Sequence, residues 1–149
     1  RRGSHEHERF DFLGYTFRRR LLKSKHGKFF VGFVPAISDA AAKAIRLEIR
    51  RWQLHHRSDQ NLSDLARRIN PVVQGWINYY GRFYRSALYR SLRGINEYLT
   101  RWAMRKFKRL RRHRTRAHAW LGNVAGRAPN LFAHWRMGVR PYGWAGGAG

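Results

Sequence analysis

The sequence contains no cysteine, and this absence excludes several kinds of site at once. Disulfide bonds, zinc sites built from thiolates and cysteine nucleophiles all require a thiol. The sequence also has no apolar run near the roughly 18 residues that a membrane-spanning helix needs. Arg1–Phe10 is polar and charged, so it lacks the apolar core of a signal peptide. We therefore expect a cytoplasmic chain that has no membrane partner.

Acidic residues are scarce, with 8 Asp and Glu against 32 Lys and Arg. No two acids are adjacent, and Asp39 and Asp64 are better explained as helix-start residues. Catalysis by two metal ions needs several carboxylates that converge on the metals. His5, His7, His55 and His56 lie in polar stretches and His113 and His118 lie in the basic run, where a histidine is more often exposed to solvent or RNA than a metal ligand. No GxxxxGK phosphate loop occurs. The sequence predicts no catalytic residue, no metal and no cofactor.

The basic residues, in contrast, give the chain a formal net charge of +24 over 149 residues. Ordinary solvation of helix surfaces does not explain a four-to-one excess of basic over acidic residues. An excess of this size indicates a polyanionic partner, with nucleic acid favoured over anionic membrane. Arginine outnumbers lysine, and its planar guanidinium suits folded or unpaired RNA. Since 43% of the residues are apolar and six are Trp, the chain can also bury a core.

Hydrophobic spacing predicts a mainly α fold, a helical bundle preceded by a short β-hairpin. The hairpin covers residues 10–34, and Ser38-Asp39 starts the first helix, whose apolar face carries Ala42, Ile45, Ile49 and Trp52. Residues 55–61 are predicted to be a polar loop. The later helices are predicted at Leu65–Ile69, starting from Ser63-Asp64, then Val72–Phe83, Ser86–Arg111 and Ala117–Ala125.

Three local features refine this prediction. Asn70-Pro71 predicts the start of a new helix, with Asn70 as its cap and proline at the first helical position. Gly75 suggests a close approach of two helices. Of the aromatic cluster that follows, Trp76 and Tyr80 are assigned to the core, which leaves Arg82–Arg85 as candidates for RNA contact. The longest helix has an apolar stripe of Leu88, Leu92, Ile95, Leu99 and Trp102, continued by Phe107 and Leu110 after a small phase shift.

Three long segments resemble one known family. The FDFLGYTF segment at residues 10–17 is similar to the last block of group II intron reverse transcriptases, at the palm–thumb junction. INPVVQGWINYYGRFYRSALY, from Ile69 onward, resembles the signature of their maturase domain, also called domain X. RKFKRLRRHRTRAHAWL at residues 105–121 fits the same order. The resemblance covers about residues 10–135.

The resemblance implies a thumb and maturase region that binds its own intron RNA, helps that RNA to fold and splice, and supports mobility when joined to a polymerase domain. It divides the chain into a palm–thumb junction at 1–37, a helical thumb and maturase domain at 38–135 and a flexible Gly-rich tail at 136–149. The implied partners are group II intron RNA, a template–primer duplex and a separate fingers and palm chain. The residues expected near the primer are Phe12, Leu13, Gly14 and Tyr15.

The resemblance and the basic stripes together give the predicted RNA contacts. On the hairpin and the first two helices they are Lys23, Lys25, Lys28, Arg46, Arg50, Arg67 and Arg68. Further along the chain they are Arg82, Arg85, Arg101, Arg105, Lys106, Lys108, Arg109, Arg111, Arg112, Arg114 and Arg116.

The sequence departs from the family in two motifs. The YADD-type aspartate pair of the palm and the cysteines of a zinc-dependent HNH nuclease do not occur. Because the chain also begins without Met, we expect a fragment that is not an enzyme alone. Two alternatives stay open: the thumb part of an RNA-directed DNA polymerase that is active only with separately supplied fingers and palm, and a non-specific basic RNA-binding protein.

Overall fold

The structure, a computed structural model, describes residues 9–12, 15–23, 29–82 and 85–142, with side chains described from residue 37 onward within those ranges. The described part is mainly helical, which confirms the predicted class. Its helices are α1 (Asp39–Arg51), α2 (Leu62–Tyr80), α3 (Arg85–Lys106), α4 (Arg114–Arg127) and α5 (Ala133–Met137), with 3₁₀ turns at Leu54–His56 and Lys108–Leu110.

Three strands precede α1 along the backbone: β1 (Arg9–Phe12), β2 (Tyr15–Lys23) and β3 (Phe29–Ile37). They pair antiparallel in the order β1-β2-β3. Ile37 is the first residue of this region with a described side chain, and it is buried with the helices. The hairpin as an element packed in front of the helices therefore stays a prediction.

The start of α1 confirms the interpretation of Ser38-Asp39. Ser38 has an extended backbone, and its hydroxyl oxygen accepts a hydrogen bond from the Ala41 backbone N–H at 3.1 Å. Asp39 occupies the first turn, where a negative charge is stabilised by the helix dipole. Ile45 and Ile49 are buried, so the predicted apolar face of α1 points into the core.

Helix α2 is one helix, where the sequence predicted two. It begins at Leu62 because Asn61 and Asp64 form a reciprocal capping box: each side chain accepts the other's backbone N–H, at 2.8 and 3.2 Å. Pro71 lies inside the helix and removes a single backbone donor. Leu65 and Ile69, before Pro71, and Val73, after it, are all buried. This continuous buried face outweighs the missing hydrogen bond, so the predicted break at Asn70-Pro71 is wrong.

Helix α3 lies at the centre of the core. Its five predicted stripe residues are all buried, which confirms the period read from the sequence: Leu88, Leu92, Ile95, Leu99 and Trp102. Around them pack apolar residues of α1, α2 and α4, together with Phe132 and Trp135 near the C-terminus. The cationic side of α3 is thereby turned towards solvent.

The predicted end of this helix at Arg111 is wrong, because α3 ends at Lys106. Phe107 adopts an extended conformation, with φ −106° and ψ 120°, and a 3₁₀ turn follows. Arg112 then has a φ of 66°, in the left-handed region that non-glycine residues rarely adopt. The phase shift in the apolar pattern lies at this break. The 3₁₀ turn places Leu110 in the core, and the chain then continues into α4.

The loop predicted at residues 55–61 is polar in sequence but not wholly exposed. Leu54 and His55 are buried in a 3₁₀ turn against α3, with the rings of His55 and Tyr98 at 5.2 Å between centroids. The Trp102 indole N–H donates to the Arg57 carbonyl at 3.0 Å. The prediction is therefore wrong for His55.

The segment after α4 is fixed by polar side chains of α2 and α3. Asn70 does not cap its own helix; its amide donates to the Leu131 carbonyl at 3.0 Å and accepts from the Ala133 N–H at 2.9 Å. Val139 is 3% exposed, so the buried core reaches beyond the predicted helical domain limit, while the tail assignment stays a prediction. Gly75 has open space where a Cβ would lie, so the predicted close helix approach there is wrong.

Candidate nucleic-acid interface

The predicted RNA contacts divide into those that the structure describes and those that it does not. Lys25, Lys28, Leu13 and Gly14 lie outside the described residues, and the side chains of Phe12, Tyr15 and Lys23 are not described. Of the fifteen RNA-contact candidates with described side chains, all except Lys106 are exposed. Exposure is necessary for RNA contact, but it does not assign that role.

Eight of these exposed cations gather where α3 ends and α4 begins. We call this group the basic corner, and it consists of Arg101, Arg105, Lys108, Arg109, Arg111, Arg112, Arg114 and Arg116. Helix α4 packs against α3 through Ala117 and Leu121, which keeps both basic segments on one part of the surface. Residues 101–116 contain no Asp or Glu, so the positive charge there has no acidic neighbour in sequence.

Most of the described acids nearby are held in local contacts. Glu97 accepts from the Arg114 guanidinium, and its other carboxylate oxygen lies 3.8 Å from His118 Nε2. Glu48 accepts from the Trp52 indole N–H at 2.9 Å and pairs with Arg51. The Glu97 pair neutralises Arg114 of the basic corner, whereas Glu48 pairs with an arginine of α1 that is not part of it.

Two arginines of the basic corner rest on aromatic rings. The Arg101 guanidinium lies 5.6 Å from the centroid of Tyr98, and that of Arg109 lies 5.5 Å from Phe107. Such contacts restrain the guanidinium while leaving its N–H groups available to phosphate oxygens. The surface is therefore partly organised before any ligand binds.

Lys106 is used within the fold, unlike its neighbours. Its ammonium donates to the Ser58 carbonyl at 2.9 Å and to the Gln60 carbonyl at 3.1 Å, and it lies 5.5 Å from the centroid of Trp102. These contacts hold the loop between α1 and α2 against the end of α3. Its role in RNA binding stays a prediction, and its structural role is visible.

A Lys106→Met substitution separates these two roles. It keeps the apolar stem over Trp102 but removes two hydrogen bonds, so we expect the free energy of unfolding in urea to fall by about 1 kcal/mol. Lys108→Met is the matched control, since Lys108 is exposed. Equal urea midpoints for the two variants would contradict the structural role of Lys106.

The other described candidates lie on separate helices. Arg46 and Arg50 are exposed on α1, whereas Arg67 and Arg68 are exposed on α2. Arg67 binds the carboxylate of Asp64, which belongs to the capping box of α2. Arg82 and Arg85 are exposed on either side of two residues outside the described set. Trp76 and Tyr80 pack against the core, as predicted.

Burial lowers the pKa of two histidines, His55 and His134, and so favours their neutral form. Burial, the positive charges of Arg101 and His56, and then that of Arg105 lower the pKa of His55 below its usual value. His134 is fully buried and has its pKa lowered to about 3 by that burial. No sequence signal indicated the burial of His134, because its environment is formed by a distant helix.

A second basic group, which the predicted contacts did not include, lies at the middle of α3. Arg93, Arg140 and Tyr142 line a groove beside this helix, and the last two come from the segment assigned in sequence to a flexible tail. The basic and aromatic pair at Arg140 and Tyr142 was the available signal, but it lies in a Gly-rich context.

Two other kinds of site do not occur among the described residues. Within that part of the chain, no helix is long and apolar enough to cross a membrane. Among the same residues, no three acidic or histidine side chains are grouped so that they could hold a metal ion.

Comparisons with known proteins identify the family. Residues 42–120 match the family model described as group II intron, maturase-specific domain, and this match covers more than half of the chain. Neither the curated proteins nor the solved structures gave a match. The matched segment contains helices α2 and α3, all of the basic corner and half of α4. The chain therefore belongs to the family of the group II intron maturase-specific domain.

Proposed function

We propose that this chain binds group II intron RNA and helps it to adopt its splicing-competent fold in the cytoplasm. The observation that carries the proposal is the basic corner, which lies wholly inside the segment matched by the maturase-specific family. Arginine side chains there would neutralise phosphates and so allow RNA helices to pack closely together. The remaining exposed candidates on α1 and α2 would extend the contact.

The finer assignments from the sequence belong to the same proposal. Residues 38–135 would form the thumb and maturase domain, with the strands before it arranged as a hairpin at a palm–thumb junction. Phe12, Leu13, Gly14 and Tyr15 would then lie near a primer strand. The resemblance of residues 10–17 to the palm–thumb block supports these assignments.

Binding across a salt series tests the proposal. The full chain would be titrated with the group II intron transcript that neighbours its coding sequence and with an unrelated structured RNA of equal length. We expect tighter binding to the intron that persists as salt rises. Equal affinity for both RNAs at every salt concentration would instead indicate the non-specific basic RNA-binding protein.

A triple variant of Arg111, Arg112 and Arg116 to Gln locates the RNA-binding surface. If each arginine binds a phosphate, the slope of log affinity against log salt should become less steep by roughly 0.9 for each phosphate that is no longer neutralised. Arg46 and Arg50 to Gln, on α1, serve as the comparison on another helix. An unchanged slope in the triple variant would remove the basic corner from the interface.

A second candidate function is that of a polymerase thumb completed by a separate fingers and palm chain. The observation that favours it is again the palm–thumb similarity of residues 10–17. Primer extension on an RNA template, with a fingers and palm chain added, would be measured with and without this protein. Extension that requires the protein would support this function.

A further inference from the structure

A groove lies between α3 and the segment that follows α5. It contains an open pocket of about 320 Å³, which shares Arg93, Arg140 and Tyr142 with a second open pocket of about 430 Å³. The far wall is fixed: the Tyr89 hydroxyl donates to the Met137 carbonyl at 2.7 Å, and the Asn96 amide donates to the Val139 carbonyl at 3.2 Å. The first pocket is lined by Arg93, Gly94, Asn96, Glu97, Arg140 and Tyr142.

The lining combines the groups that recognise a nucleotide. Tyr142 is 88% exposed and contacts His118 edge-on, with 5.6 Å between ring centroids, so most of its surface is open to solvent. An exposed aromatic ring offers a base a surface to stack on. Arg93 and Arg140 line both pockets, and their guanidinium groups can bind a phosphate.

Glu97 supplies an acceptor within these basic surroundings. It is the one acidic residue in the sequence of α3, and its carboxylate is held by Arg114 with His118 nearby. A positioned carboxylate accepts hydrogen bonds from the exocyclic amino group of a base. Acceptor, ring and guanidinium groups therefore occur together in one groove.

Gly94 forms part of the lining, and packing does not require glycine there. A Cβ built at Gly94 meets no atom within 4 Å, and the residue lies inside a helix, where glycine is less stable than alanine. A longer side chain at this position would project into open space lined by the groove residues. Gly94 thus leaves room that a larger residue would fill.

We propose that this groove binds one unpaired nucleotide of an RNA ligand, with the base on Tyr142 and its phosphate against Arg93 and Arg140. The proposal rests on the proposed function and adds a site that the matched residues 42–120 contain only in part. The volume of the first pocket is at the small end of the range for ligand pockets, which suits a single nucleotide. A paired nucleotide cannot enter, because its base is stacked in the duplex.

The test uses two RNA hairpins that differ in one position. One has a single bulged 2-aminopurine and the other is fully paired. The full chain should bind the bulged hairpin about tenfold more tightly, a difference typical of one stacked base, and the 2-aminopurine fluorescence should change. Gly94→Leu should abolish the preference, so that the two hairpins bind with equal affinity.

Gly94→Ala is the matched control, since one methyl group leaves most of the groove open. It should keep the preference for the bulged hairpin. Tyr142→Ala, at an exposed position, should reduce the fluorescence change without affecting folding. Equal binding of the two hairpins by the unmodified chain, or a preference that survives Gly94→Leu, would overturn the proposal.

Two further results separate this inference from its alternatives. Binding of free AMP in the absence of RNA would assign the groove to free nucleotides and so overturn its assignment to RNA. If the chain prefers intron RNA but not the bulged hairpin, only the groove proposal fails. If it prefers the bulged hairpin but not the intron, the groove stands and intron recognition fails.

Discussion

Replacing Asn96 with alanine should lower the free energy of unfolding by about 4 kcal/mol, a large part of the stability of a domain of this size. The Asn96 side chain is 6% exposed and makes three hydrogen bonds to the C-terminal segment. Its oxygen accepts from the Trp135 indole N–H at 2.8 Å and lies 2.7 Å from His134 Nε2, while its amide donates to the Val139 carbonyl. Alanine would leave all three partner groups buried without a hydrogen bond.

Asn78→Ala is the matched control for this substitution. Asn78 is also a helical asparagine, but it is exposed and accepts only from the Gln74 side chain among the contacts described. We expect its free energy of unfolding, obtained from urea denaturation, to change by less than about 0.5 kcal/mol. Similar decreases in stability for both variants, measured by circular dichroism, would show that the Asn96 contacts contribute little.

The hydrogen bonds of Asn96 join the C-terminal segment to the helix that carries the proposed interface. Helix α3 contains both Asn96 and part of the basic corner, so the segment around Trp135 stabilises that helix. Phe132 and Trp135 are fully buried, although they lie beyond the matched residues 42–120. The hydrophobic core therefore extends beyond the segment that identifies the family.

The sequence was sufficient for the elements whose stability depends on a repeating pattern. The stripe from Leu88 to Trp102 recurs every three or four residues, and burying it requires a helix with its cationic side outward. The start of α1 was also predictable, because Ser38 satisfies the first turn through local atoms. In both cases the determining contacts lie within one element.

The misassigned features depend on contacts between distant segments. The sequence predicts a helix break at Pro71, but the buried face of α2 continues past this residue because packing, rather than local preference, fixes it. The sequence predicts that Asn70 caps a helix, but its partners Leu131 and Ala133 lie about sixty residues away. Local rules cannot detect such partners.

The same distinction applies to the candidate site. Exposure of Arg101 and Arg105 follows from their position opposite the apolar stripe of α3, so the sequence could predict it. Lys106 belongs to the same basic run, but it binds the Ser58 and Gln60 carbonyls, which only the tertiary fold brings near. Tyr142 and Arg140 were missed because the groove that they line exists only when the last segment packs on α3.

Acidification should destabilise the protein through His134. In the folded state burial lowers its pKa to about 3, whereas the unfolded value is 6.5. Between these two values the unfolded state binds more protons than the folded state, so the free energy of unfolding falls as pH drops below 6.5. The expected slope is up to about 1.4 kcal/mol per pH unit, or about 2–3 kcal/mol between pH 7 and pH 4.5. His55, whose pKa is also lowered, acts in the same direction.

The hydrogen bonds of His134 independently indicate that its ring is neutral in the folded state, as the expected loss of stability at low pH requires. The Trp135 indole can only donate, so the Asn96 atom that it meets is the amide oxygen, and His134 Nε2 must donate to that same oxygen. The buried Nδ1 has no partner among the described residues, which fits a neutral ring.

His134→Gln can keep a donor to Asn96 but cannot titrate. It should be less stable at pH 7, and its urea midpoint should converge on that of the unmodified protein as pH falls to 4.5. Parallel pH profiles for the unmodified protein and His134→Gln would show that His134 does not cause the acid sensitivity.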